Sequence, residues 1–264
     1  MKFQLGLVGG GVMGEAILSR LVASNVYLPS DICVSDPMPE RRDLLEKKYG
    51  VQVTPNNLVA AEAEIMLLAV KPQSLNAAAI GLADSPAPCV VSILAGVTLA
   101  QLEAMFPSKS IIRAMPNTPA QVGAGVTVIA PNALATGHHL DLARKIFSAV
   151  GTVVEVAESL MNAVTGLSGS GPAYVAVMIE AMADGGVAAG LPRAIALQLA
   201  TQTVLGTAQL IIETKLHPAQ LKDQVTSPAG TTIAAIAQLE KAGLRSAMIE
   251  AVLAATRRAD ELGK

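Results

Sequence analysis

Phe3-Gln-Leu-Gly-Leu-Val8 leads into Gly9-Gly-Gly-Val-Met-Gly14, and that into Glu15-Ala-Ile-Leu-Ser-Arg-Leu-Val22. An apolar strand enters a glycine turn, and the turn opens a helix. G-x-G-x-x-G in this setting is the fingerprint of a dinucleotide-binding βα unit. Gly9 permits the tight turn, Gly11 lets the backbone approach a pyrophosphate, and Gly14 lets the helix pack close to the strand. Gly10, Val12 and Met13 fill the spacing, and the N–H groups of the first helical turn face a diphosphate. Alone, the hexapeptide also reads as an ordinary tight turn. Its place between strand and helix favours the cofactor.

Outward from this turn, strand and helix alternate. Apolar runs at Leu5–Val8, Ile32–Ser35, Ile65–Val70, Cys89–Leu94 and Ile111–Ala114 read as buried parallel strands. Helical patterns lie between them, notably Pro39–Tyr49 and Leu75–Leu82. Strands at Gly125–Ala130 and Thr152–Ala157 follow, with a helix near Leu140–Val150. The pattern predicts an α/β fold, a Rossmann-like doubly wound sheet over residues 1–160. From Glu158 strand signals stop. Helices at Pro172–Ala189, Pro192–Thr214 and Thr231–Leu262, the last interrupted near Gly243, predict an all-helical domain over residues 161–264.

Composition narrows the function classes. A net charge of −2 gives no basic surface for nucleic acid or anionic membrane. Cys33 and Cys89 sit in separate apolar runs without metal spacing and read as reduced core thiols. The N-terminal glycine loop occupies the place of a signal peptide's apolar core, so a cytoplasmic protein is expected. Hydrophobic residues make up 52% of the chain and aromatic ones 2%; that aliphatic surface is more than one monomer readily hides. Ala194–Ile212 carries no charge and reaches the length of a membrane span, about 18 residues. Gln198, Thr201, Gln202, Thr203, Thr207 and Gln209 spread polar groups around it. A helix buried in an oligomer fits better.

Several motifs carry chemistry. Asp36 stands roughly 20 residues past the last glycine, where an acidic side chain accepts ribose hydroxyls and selects NAD. Asp36-Pro37 also reads as a plain turn; Ser35 then takes the ribose position, with Arg41 or Arg42 near a 2′-phosphate. Ala69-Val-Lys-Pro72 closes its strand at the crevice, with Lys71 on the phosphates, at the nicotinamide end, or merely solvated. Ser92-Ile-Leu-Ala95-Gly96 ends the next strand in small residues. Arg113-Ala-Met-Pro-Asn-Thr-Pro119 is a rigid corner that sets Asn117 to line the cleft. Ser168-Gly-Ser-Gly171 before Pro172 reads as a nest of backbone donors, or as an N-cap at Ser170. Thr226-Ser-Pro-Ala-Gly-Thr-Thr232 repeats that logic, and two anion-accepting helix starts suggest a small carboxylate substrate. His138 and His139 in a polar loop and a lone His217 form neither a metal site nor a Ser-His-Asp set.

With these motifs in this order, the chain resembles the pyrroline-5-carboxylate reductases over essentially its full length. Leu167–Ala173 and Thr226–Thr232 carry most of the specificity, and Ala183-Asp-Gly-Gly-Val187 and Leu191-Pro-Arg193 add to it. The resemblance implies reduction of 1-pyrroline-5-carboxylate to L-proline, the last step of proline biosynthesis, with NADPH or NADH. It implies that Gly9–Gly14, Ser35, Asn57, Ala69, Val70, Lys71, Pro72, Ala95 and Gly96 hold the dinucleotide. Ser227, Pro228, Ala229, Gly230 and Thr231 would grip the carboxylate, with Ser168, Gly169, Ser170 and Gly171 nearby, while Thr232 faces the ring nitrogen. It further implies a homodimer through the helical domain, often built into decamers. Lys215 and Gln224 depart from residues some relatives carry. A β-hydroxyacid dehydrogenase would need a lysine on the helix after the glycine-rich loop, and Pro172–Ala189 has none. A non-catalytic nucleotide sensor would leave the Ser227–Thr232 loop without purpose.

Overall fold

The computed structural model describes residues 1–263. Among them, eight strands form one sheet: β1 (Phe3–Val8), β2 (Ile32–Ser35), β3 (Gln52–Thr54), β4 (Ala63–Leu68), β5 (Cys89–Ser92), β6 (Ser110–Met115), β7 (Gly125–Pro131) and β8 (Gly151–Glu155). Their order is β3-β2-β1-β4-β5-β6-β7-β8, so the chain runs outward from β1 to one side and returns to continue on the other. Side chains alternate between two cores. Ile65 and Leu67 of β4 join Leu5 and Leu7, whereas Met66 and Leu68 pack with Val90, Leu102 and Phe106. Helices cover both faces, which is why these strands read as continuous apolar runs.

The first core is closed by α1 (Val12–Ala23), α2 (Pro39–Tyr49) and α6 (Gly137–Ser148), through Ile17, Leu18, Leu21, Leu45, Ile146 and Phe147. The second is closed by α4 (Leu75–Ala78) and α5 (Leu99–Met105), while α3 (Asn57–Ala60) caps a smaller cluster with Phe3 and Cys33. Burial raises the Cys33 and Cys89 thiols to about 11 and about 12.

The structure departs from the sequence expectations in several places. β3 was not anticipated; it is three residues long with an exposed or half-buried pattern. β4 and β5 stop at Leu68 and Ser92, and the helix expected over Leu75–Leu82 breaks after Ala78. β7 runs antiparallel to β6, whereas β8 is parallel to β7. Pro116–Ala124 is too short for a crossover, which needs a dozen or more residues, while the stretch holding α6 is long enough. His138 and His139 lie in the first turn of α6, not in a loop. His139 completes a capping box with Thr136, and His138 Nε2 lies 3.0 Å from Glu64.

The chain divides into two compact units, Met1–Ser170 with the C-terminal stretch from Ala254, and Gly171–Leu253. Segment 161–170, which includes α7 (Met161–Val164), goes with the sheet because Met161 packs against Val128 and Ala130. The second unit holds α8 (Gly171–Ala188), α9 (Arg193–Thr214), α10 (Pro218–Gln224), α11 (Thr231–Lys241) and the first part of α12 (Leu244–Leu262). Small residues let α8 and α9 approach: Ala183, Ala196 and Ala200 are buried between them, and Gly190 (φ +100°) turns the chain. Among the described residues α9 alone is long and apolar enough to cross a membrane. Ile195, Leu199, Leu205 and Ile212 are exposed along it within one chain.

Candidate functional site

β1 meets β2 on one side and β4 on the other, so the carboxyl end of β1 is the point where the strand order reverses and crevices form. The glycine turn lies there. Gly9 takes φ +103°, a left-handed conformation, and its oxygen crowds Gly14 so closely that a Cβ on Gly14 would sit 2.5 Å away. Gly11 caps α1 with no side-chain hydrogen bond, leaving the first-turn N–H groups without side-chain partners. A Cβ on Gly11 would meet no protein atom within 4 Å. Open space in front of uncapped amides is what a diphosphate requires, so these residues fit a dinucleotide.

Beside the turn lies a cavity of about 230 Å³ lined by Gly9, Ser35, Pro37, Pro55, Asn57 and Val70. Four of the residues expected to hold the cofactor therefore converge in one place, although they come from four segments of sequence. Ser35 ends β2 fully buried, with its Oγ 3.5 Å from Leu7 O. Asn57 Nδ2 donates to Ala78 O at 2.9 Å and fixes the cavity wall. Ala69 approaches the turn closely, whereas Lys71 and Pro72 are exposed beyond β4. Ala95 is exposed and Gly96 takes φ +78° in the turn after β5, one strand further along the sheet.

Asp36 stands in a turn, as one of its two readings has it, and also reaches the glycine loop. Its carboxylate accepts from Gly10 N through Oδ2 at 2.9 Å and from Met38 N through Oδ1 at 3.0 Å, so one oxygen holds the glycine turn and the other closes the local Asp36–Met38 turn. Arg42 donates to the carbonyls of Asp36 and Pro37 at 2.7 and 3.0 Å. Arg41 donates through Nε to Gly10 O and pairs with Glu15, which also accepts from Lys48 Nζ at 2.9 Å and Tyr49 Oη at 2.8 Å. Partial burial alone would raise the Glu15 carboxyl. Hydrogen bonds from Lys48, Tyr49 and Arg41 outweigh it and hold the group at about 2. This cluster escaped the sequence reading, and its only signal was Arg41 falling near the expected ribose position.

Asn117 ties two segments together. Its Oδ1 accepts from Val126 N at 2.9 Å and its Nδ2 donates to Ser168 O at 3.2 Å, tying the β6–β7 corner to segment 165–169. That segment is a π-helical turn, not the loop-and-nest expected, and the chain continues into α8 after Ser170. Ser168 Oγ donates to Val164 O at 3.0 Å, and Ser170 N donates to Thr165 O at 2.9 Å. Glycines at 166 and 169 tolerate the widened turn, and such turns recur at functional sites.

In the second unit, Thr226–Thr232 forms a loop entering α11. Gly230 N donates to Ser227 O at 3.1 Å, closing a turn with Pro228 and Ala229 at its centre. Ala229 takes φ +55°, which is unusual for a residue with a side chain. A Cβ on Gly230 would lie 2.3 Å from Ser227 Oγ, so any larger residue there would force that hydroxyl to turn away. Gly230 caps α11 without a side-chain bond, leaving the amides of Thr231 and Thr232 uncapped, as at Gly11. By contrast Thr98, Thr136 and His217 cap α5, α6 and α10 with their own side chains. Lys215 ends α9 in a left-handed conformation and Gln224 is the last residue of α10. Among the described residues no cluster of three or more His, Cys, Asp or Glu is arranged to hold a metal ion.

Comparison with known proteins adds identity to this geometry. Residues 158–262 match the family model described as pyrroline-5-carboxylate reductase dimerisation, and residues 4–96 match that described as NADP oxidoreductase, coenzyme F420-dependent. A pyrroline-5-carboxylate reductase of Synechocystis is 62% identical, with both chains covered in full. Among solved structures, the pyrroline-5-carboxylate reductase of Coxiella burnetii superposes with a TM-score of 0.94 at 38% identity, over all of both chains. The Plasmodium falciparum pyrroline carboxylate reductase, solved with NADP bound, gives 0.89 at 28%, again over all of both chains.

Proposed function

The chain belongs to the pyrroline-5-carboxylate reductase family, the NAD(P)H-dependent enzymes that reduce 1-pyrroline-5-carboxylate to L-proline as the last step of proline biosynthesis, and from that premise we propose how its residues divide the work. One observation carries the assignment: α1 and α11 each begin on a glycine with no side-chain cap. The first gives its amides to the diphosphate, the second to the substrate carboxylate. Residues 1–160 thus bind the dinucleotide, through Gly9–Gly14, Ser35, Asn57 and the segments Ala69–Pro72 and Ala95–Gly96. Residues 161–264 bind substrate and dimerise.

The dinucleotide supplies the hydride when bound. The chain's own residues must orient the cyclic imine and keep its nitrogen protonated, because a protonated imine carbon is already electrophilic. The turn around Gly230 presents its amides to the carboxylate, and Thr232 Oγ1 hydrogen-bonds the ring nitrogen. A threonine hydroxyl does not titrate near neutrality, so Thr232 positions the ring and is not its acid. NADPH is the favoured cofactor, with NADH accepted, since the Asp36 carboxylate is already engaged by the Gly10 and Met38 amides, one on each oxygen. The exposed apolar residues of α9 belong in a homodimer, extended to a decamer, in the cytoplasm and away from membranes.

The test is Thr232→Ala. It should lower kcat/KM for pyrroline-5-carboxylate roughly ten- to hundredfold and leave the Kd for NADPH unchanged. Unaltered turnover removes Thr232 from the mechanism.

A further inference from the structure

We propose that Arg41, held by Glu15, is a positioning residue that aims the Gly11 amide at the cofactor diphosphate, and that it is not a ligand of the 2′-phosphate. The inference rests on the glycine turn being the dinucleotide site. Gly10 is gripped at both ends: its N–H by Asp36 Oδ2 at 2.9 Å, its oxygen by Arg41 Nε. Peptide units are planar and all of these are trans, so C=O and N–H point opposite ways across each one. Fixing Gly10 O toward Arg41 therefore turns the Gly11 N–H away from Arg41, at a residue whose added Cβ would meet no protein atom within 4 Å. Fixing Gly10 N–H toward Asp36 likewise turns Gly9 O toward Gly14, where the structure has it.

Arg41 is itself anchored. Arg41, Leu45, Lys48 and Tyr49 recur at helical spacing on one face of α2, and Glu15 of α1 accepts from all three polar members. Leu45 is fully buried against the turn, and a Cβ on Gly10 would lie 2.6 Å from it. The guanidinium thus spends one edge on a carbonyl and another on a carboxylate that neutralises it. A phosphate ligand would meet only the remaining Nη1 edge of a guanidinium whose charge a carboxylate already balances. In a glycine turn with four glycines and little side-chain restraint of its own, such a clamp supplies the rigidity that the sequence omits.

The two roles separate by cofactor. Binding of NADPH, NADH and ADP-ribose to the full chain is measured by fluorescence or calorimetry for wild type, Arg41→Gln and Glu15→Gln. Positioning predicts that both variants weaken all three ligands by the same factor, about tenfold. It also places the kinetic loss in the KM of the cofactor, not in that of pyrroline-5-carboxylate. A loss confined to NADPH in Arg41→Gln, tighter NADPH binding in Glu15→Gln, or no change in either variant overturns the proposal. If Arg41→Gln does not fold, Glu15→Gln alone decides by the same criteria. Failure of the wild-type chain to bind any of the three ligands contradicts instead the reading of the glycine turn.

Discussion

Gly11 and Gly14 are three residues apart and have opposite reasons to be glycine. Gly11 takes φ −66° and ψ −172°, extended backbone open to any residue, and a Cβ there meets only empty space. Its constraint comes from the ligand. Gly14 is constrained by the fold, since a Cβ would press to 2.5 Å from Gly9 O, a backbone atom that cannot swing away. Gly11→Ala should therefore leave Tm unchanged or slightly raised while weakening NADPH binding by about tenfold or more. Gly14→Ala should cost about 2 kcal/mol of stability and lower Tm by roughly 5 °C. Thermal melts paired with NADPH titrations separate the two, and a stable, non-binding Gly14→Ala would contradict this division.

At the scale of elements, α1 and α2 are joined by one carboxylate. Glu15 is held at about 2 in the folded chain against an ordinary 4.5, facing Arg41, Lys48 and Tyr49. A depressed carboxylate contributes stability that is in full above about pH 4.5 and is lost as pH falls toward 2. The urea midpoint of wild type should therefore exceed that of Glu15→Gln near pH 6, and the gap should narrow between pH 4.5 and 3. A gap independent of pH would mean that the charge contributes nothing. The same element scale shows what the chain announces locally. The βα unit at Phe3–Ala23 is legible because glycine spacing and apolar runs are local properties. α2 is legible to the residue because Pro39 starts it and Gly50 in a left-handed conformation ends it. β3 is not, since three half-exposed residues carry no pattern. The direction of β7 follows from loop length and not from its apolar run. The π turn at Thr165–Gly169 is tied to Asn117, some fifty residues away in sequence, and the Glu15 cluster joins residues separated by a strand and two turns.

For the molecule as a whole, half of the proposed site was readable as chemistry and half as geometry only. The Thr226–Thr232 loop announces an anion-accepting helix start from its residue types. The roles of Asp36 and Asn117 emerge only from which amides they face. The apolar residues left exposed on α9 argue that the chain completes itself by self-association. Light scattering at micromolar concentration should give a dimer or a larger even-numbered assembly. A monomer that stays soluble would remove the homodimer from the account. The central claim is that two glycine-capped helices, one for the diphosphate and one for the carboxylate, make a reductase of cyclic imines. The most direct test is oxidation of NADPH and of NADH by the purified chain with 1-pyrroline-5-carboxylate, with L-proline measured as product. Cofactor consumption matched one for one by L-proline is the predicted result; folded protein that consumes neither cofactor would contradict it.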